Sequence, residues 1–232
     1  MSELDDTAGP AETPAPTVYG TRVWDLPTRL AHWLFVAGVA FSWWTAETGR
    51  LEWHRWSGYS LLGLVVFRLY WGFVGGSTAR FANFVRGPRA VVAYLRGNGV
   101  AAIGHNPLGA LSVLALLGLL LLQIALGLFA VDVDGIESGP LSLYVSFEAG
   151  RVAAKWHDIV FNALLGLIVL HVVAVLYYFV LKRQNLIGTM ITGKRVYETA
   201  MEPMSPASAL KLVIGAVVAT VITWTISKAF QF

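Results

Sequence analysis

The chain has 232 residues, of which 56% are apolar and 13% charged, against roughly one-quarter charged in soluble domains, and this balance places it in the membrane class. It contains no cysteine, which excludes disulfides, thiolate-ligated iron–sulfur clusters and covalently attached c-type haem, so any redox group must rest on histidine. A net charge of +3 and a pI of about 9.3 do not point to nucleic acid, because the basic residues gather in two inter-helix loops and not on one water-facing patch.

Residues 1–22 form a first region whose stretch 4–16 is rich in Ala, Pro, Thr and acidic side chains and lacks the apolar core of a signal peptide; it reads as a disordered cytoplasmic tail. Residues 23–195 form the membrane domain, and residues 196–232 a linker and a last helix. Five apolar stretches are long enough to cross a hydrocarbon layer of about 30 Å at 1.5 Å per residue: 29–48, 54–74, 107–131, 156–181 and 208–229. Between the second and third, PRAVVAYLRG puts Pro88 at a first helical position with basic residues flanking apolar ones; it reads either as a short interfacial helix or as a solvated connector. The loop 75–106 carries Arg80, Arg86, Arg89 and Arg96 without an acid, and the loop after the fourth span carries Lys182, Arg183, Lys194 and Arg195. Both should be cytoplasmic, because basic loops resist translocation. The loop before the fourth span holds Asp132, Asp134, Glu137 and Glu148 against Arg151 and Lys155, which suits the opposite side. An odd number of spans then leaves the N-terminus inside and the C-terminus outside.

His32, His54, His157 and His171 fall within or at the ends of these spans, where an imidazole is costly without a partner. The topology sets His32 near the inner end of the first span, His54 near the outer end of the second and His157 near the outer end of the fourth. His171 follows His157 by 14 residues, which is about 21 Å along the axis, and about 100° per residue brings both rings to roughly the same face. The depths pair His54 with His157 outside and His32 with His171 inside. Each pair can give two axial nitrogens to one haem b iron, a ligation that closes the metal to oxygen and suits electron transfer. The ring N–H away from the iron wants an acceptor, and for His171 the carbonyl of Leu167, four residues earlier, is the expected one. Two alternatives stand beside this reading: interhelical histidines that only hydrogen-bond to neighbours, and zinc, which is poorly served by two histidines per level.

Arg68 stands 14 residues after His54, hence on the same face and near the inner level; it reads as the partner of a haem propionate or as a cation snorkelling to the inner headgroups beside Trp71. Gly58, Gly63 and Gly166 lie on the ligand-bearing helices, where a missing side chain admits a flat macrocycle or a neighbouring helix. His105, opening HNPLG, reads as a polar loop or cap residue or as part of a quinone pocket near the inner haem. Trp43, Trp44, Trp53, Trp56 and Trp156 read as an aromatic belt at the outer interface.

VWDLPTRLAHW, WHRWSGYSLLGLVVFRLYWGFVG, GHNPLG and KWHDIVFNALLGLIVLH together resemble the bacterial cytochrome b561 family, whose superfamily includes the cytochrome b subunits of nickel–iron hydrogenases and formate dehydrogenases. The resemblance runs from about residue 23 to 195, and the WH pair with a second histidine at plus 14 is its most specific feature. It implies an all-α membrane bundle of four helices holding two haems b on residues matching His32, His54, His157 and His171, with quinone chemistry near the inner haem and an electron partner outside. A fifth helix departs from the shortest members.

The leading functional expectation is transmembrane electron transfer, in the respiratory chain of a bacterial inner membrane, between the quinone pool and a periplasmic redox protein such as a c-type cytochrome. Whether the chain is itself an enzyme stays open. Superoxide oxidation coupled to quinone reduction would need a cationic funnel, for which Arg50, Arg55, Arg151 and Lys155 are available. A membrane anchor for a hydrogenase or dehydrogenase, favoured by RLYWGFVG, and an accessory subunit of a larger membrane complex complete the alternatives.

Overall fold

The computed structural model describes residues 18–98 and 103–229. The stretch 4–16, expected to be a disordered tail, lies outside the described residues. In chain order the elements are β1 (Tyr19–Arg22), α1 (Leu26–Glu47), α2 (Leu51–Val74), α3 (Phe81–Phe84), α4 (Pro88–Leu95), α5 (Pro107–Phe129), a 3₁₀ turn (Ser142–Tyr144), α6 (Phe147–Val180), α7 (Leu186–Thr192), β2 (Lys194–Tyr197) and α8 (Ala209–Ser227).

Four of these, α2, α5, α6 and α8, are long and apolar enough to cross a bilayer; α1, with 22 residues but a more polar composition, runs against α2 as a fifth. Three of the long helices begin where a side chain accepts an orphan N–H group of the first turn. Asp25 caps α1, with Pro27 in the first turn, Asn106 caps α5 just before Pro107, and Ser146 caps α6. α1 and α2 form a tight hairpin through Gly49, whose left-handed φ of +67° carries the reversal.

α1 packs along α2, and α5 along α6. A seam of Leu61, Leu62 and Val65 from α2 with Leu120, Ile124 and Leu164 from α5 and α6 joins the two hairpins. α8 closes on the far side of α2, where Gly215 lies against Tyr70 and Phe67 and Gly63 lies against Thr223. The fifth helix thus packs on the core through α2.

The structure adds three features to the helical bundle. β1 pairs antiparallel with β2, Tyr19 opposite Tyr197 and Arg22 opposite Lys194. Residues 19–22 are thus a strand, and β2 runs across position 195. The linker before α8 is tied down, since Met204 N donates to Arg22 O at 2.9 Å and Ser77 N to Ser205 O at 2.9 Å. Finally, α6 begins at Phe147, ahead of the apolar stretch that opens at 156. Its 34 residues come to about 51 Å, well beyond the roughly 30 Å of a hydrocarbon core. The segment around Pro88 is a helix, α4, and Tyr94 ties it to the end of α6 by a 2.6 Å contact with the Tyr178 hydroxyl; Asn106 Nδ2 donates to both phenols.

Candidate functional site

At the end of the bundle that carries the acidic loop, α2 presents His54 and α6 presents His157, with ring centroids 6.0 Å apart and planes nearly perpendicular. Each ring is held by a helix other than its own. His54 Nδ1 lies 2.9 Å from Ser42 O of α1, and His157 Nδ1 lies 2.8 Å from Gln123 O of α5. A helical carbonyl keeps a second lone pair after its own i+4 bond, so it can accept from a neighbour. With Nδ1 donating, each ring leaves Nε2 as a bare lone pair.

Two metal–imidazole bonds of about 2 Å each plus the radius of each ring come close to the 6.0 Å separation, so the spacing suits a pair of ligands to one iron. α5 can pass this close only because residue 127 is glycine: a Cβ there would stand 2.8 Å from His157 Cε1. Gly58, one turn from His54 on the same face, looks into open space, as a flat ligand requires. Gly63 instead serves contact with Thr223 of α8, and Gly166 is half a turn round α6 from His157 with nothing near it.

At the opposite end, His32 of α1 and His171 of α6 are close enough to feel each other's charge. His32 Nδ1 is buried without a partner among the described residues. His171 Nδ1 lies 3.4 Å from Ser112 Oγ of α5, and among the described residues the expected bond to the Leu167 carbonyl is not formed; the ring turns off its own helix towards its neighbour.

Arg68 is 6% exposed, which removes the snorkelling alternative, and Trp71 beside it is buried and stacked on Phe67 at 5.6 Å. The guanidinium lies 5.1 Å over the Phe81 ring and feels the charge of Asp25, while its Nη1 has no hydrogen-bond partner among the described residues. His105 is no cap, since Asn106 fills that role. Its ring sits between Trp24 and Phe84, both at 4.6 Å, with Nδ1 unpartnered. Burial, helped by the charges of Arg68, His171 and His32, pushes its pKa down to about 3, so it stays neutral. Arg68, His171 and His32 are thus near enough to His105 for their charges to act on it.

Sequence reasoning passed over Asp25, which binds Thr28 N at 2.9 Å, Trp71 Nε1 at 3.0 Å and Gly76 N at 3.3 Å, and so pins the start of α1 to the end of α2. An acid immediately before Leu-Pro was the available signal. Gly127 carried none, being one more small residue in an apolar run. Among the described residues no three His, Cys, Asp or Glu side chains come together in one group.

The prokaryotic cytochrome b561 family profile matches residues 23–193, most of the chain and all four bundle histidines. The chain belongs to that family. No curated protein and no solved structure matches it. As a cytochrome b561 it is a helical membrane protein, and the family carries haem b and membrane electron transfer. The two ends of the matched stretch meet, since Val23 N and Trp24 N both donate to Gly193 O, at 2.8 and 3.2 Å. α8 lies outside the family match, so this cytochrome b561 has a helix beyond the shared core.

Proposed function

We propose that this cytochrome b561 carries electrons across the bilayer through two bis-histidine haems b, between quinone at the basic-loop end and a redox protein such as a c-type cytochrome at the acidic-loop end. The observation that carries the reading is the His54–His157 pair, two rings 6.0 Å apart with both Nδ1 atoms turned onto carbonyls. When bound, haem b supplies a one-electron ferric/ferrous couple. The chain's own residues do the rest. His54 and His157 would hold the outer group, with Ser42 O and Gln123 O fixing the ring orientation and raising imidazole basicity. His32 and His171 would hold the inner one. Arg68, buried with an idle N–H, is suited to a propionate, and neutral His105 to a hydrogen bond at a quinone carbonyl.

The basic loops argue for a cytoplasmic inner end, and five crossings for an external C-terminus, in a bacterial inner membrane. Acidic Asp132 and Asp134 at the outer end favour a basic partner, mainly by speeding encounter. Superoxide oxidation is less well supported, because three of the four cations it needs are engaged. Arg55 is paired with Glu137, Arg50 lies 5.0 Å over Trp44, and Arg151 donates to Val131 O at 2.9 Å. Stable copurification with a hydrogenase, a dehydrogenase or a larger complex would favour an anchor or accessory role over a free carrier.

The test is a redox difference spectrum with haem-to-protein stoichiometry on purified protein. Wild type should hold two haems. His54→Ala and His157→Ala should each lose the same one, and His32→Ala and His171→Ala the other. A single haem lost in all four variants refutes the reading.

A further inference from the structure

α8 does not seal against α1. Between α1, α2 and the start of α8 a cleft of about 480 Å³ remains, within the range of about 300–1,000 Å³ typical of small-molecule sites. Its body is apolar, built by Leu30 and Leu34 of α1, Leu64 and Phe67 of α2 and Leu212 of α8. Leu30 and Leu34 are about half exposed, at 53% and 51%, so the cleft opens on the outer surface of the bundle, where lipid lies.

The mouth has a different chemistry. Arg22 lines it from β1, exposed, with no hydrogen bond or ion pair to its guanidinium among the described residues. Ser208 and Ala209 line it as well; Ser208 is the N-cap of α8 but makes no capping bond with its side chain. The N–H groups of the first turn therefore have no side-chain cap among the described residues, and the helix dipole adds a partial positive charge there. Lys211 stands exposed on the same turn. Asp25 also lines the cleft, but both its carboxylate oxygens are already engaged, Oδ1 by Thr28 N and Oδ2 by Trp71 Nε1 and Gly76 N.

We propose that this cleft is a binding site for one anionic phospholipid, its phosphate at Arg22 and the α8 N-terminus and an acyl chain along the apolar walls. Basic pockets between membrane helices near the headgroup level recognise such lipids, and helix N-termini recognise phosphate. Arg22 and α8 both lie outside the residues matched by the family profile, while Leu30, Leu34, Leu64 and Phe67 lie within them, so the cleft forms where this chain's additions meet the shared core. It does not depend on the haem reading.

Delipidated full-length protein in mild detergent, titrated with phosphatidylglycerol or phosphatidylcholine and followed by native mass spectrometry, tests the site. One phosphatidylglycerol should bind about tenfold more tightly than phosphatidylcholine. Arg22→Gln should remove most of that preference, and Ala209→Trp, which fills the mouth, should abolish retention of either lipid. Lys228→Gln, at the other end of α8, should change nothing. Equal binding of the two lipids by wild type overturns the proposal without recourse to any variant. So do retention unaffected by Ala209→Trp, displacement of the lipid by inorganic phosphate alone, and recovery of an isoprenoid quinone in place of phospholipid from the purified protein.

Discussion

Gly127→Ala separates ring placement from ordinary helix packing. The added Cβ would lie 2.8 Å from His157 Cε1 and 3.1 Å from Nδ1, so the ring must retreat by about 0.6 Å to regain van der Waals contact. Metal–ligand bonds tolerate about 0.2 Å, and the same retreat strains the 2.8 Å bond from Nδ1 to Gln123 O. Losing an orienting bond of this kind costs about 10–100-fold in affinity, so outer haem retention should fall by that factor while the inner haem is unchanged. Intrinsic helix propensity works the other way, since alanine favours a helix over glycine by up to about 1 kcal/mol. A loss of haem therefore cannot be assigned to a weakened α5. Gly166→Ala, on the far face of α6 with open space around it, is the matched control. Haem content, midpoint potentials and the rate of haem transfer to a scavenger would be read for both variants. Outer haem properties identical in the two would refute the idea that Gly127 positions the His157 ring.

Asp25→Ala removes the α1 cap and the acceptor for Trp71 and Gly76, and leaves Arg68 without a counter-charge; a loss of about 3–5 kcal/mol is expected in detergent unfolding. Gly193→Ala forces a side chain into a left-handed φ of +78° with its Cβ 2.7 Å from Trp24 O, and should cost about 2 kcal/mol or more and expose the β1–β2 end to protease. Burial and the bond to Tyr178 push Tyr94 up to about 12, so the fold favours the neutral phenol. Its contribution should be full below the usual phenol value near 10 and be lost as pH rises through about 12. Melting curves across pH 9–12.5 should show that loss in wild type and not in Tyr94→Phe.

The spans were readable because a bilayer demands about 20 apolar residues in a row. The start of α6 was not. Its first turns stand beyond any hydrocarbon layer and carry no hydropathy signal, although Ser146 followed by Glu148 marks a helix start. The β1–β2 pair joins two four-residue segments from opposite ends of the matched domain, and neither has enough length to show a period. The acceptors of His54 and His157 are backbone carbonyls, which every residue has, so only the packed helices reveal that Ser42 and Gln123 hold them. The burial of Arg68 depends on α3 bringing Phe81 over it, a tertiary fact.

The two histidines at the acidic end sit on different hairpins, and each is steered by the other helix of its own hairpin: α1 steers His54 on α2, and α5 steers His157 on α6. Each hairpin can thus orient its own imidazole as soon as it has folded, before the other is inserted. What neither can do alone is set two rings edge to face at 6.0 Å. That spacing is a property of the Leu61–Val65 and Leu120–Ile124 seam, so a change in the seam would alter the distance between the rings while leaving each ring's own orienting bond intact.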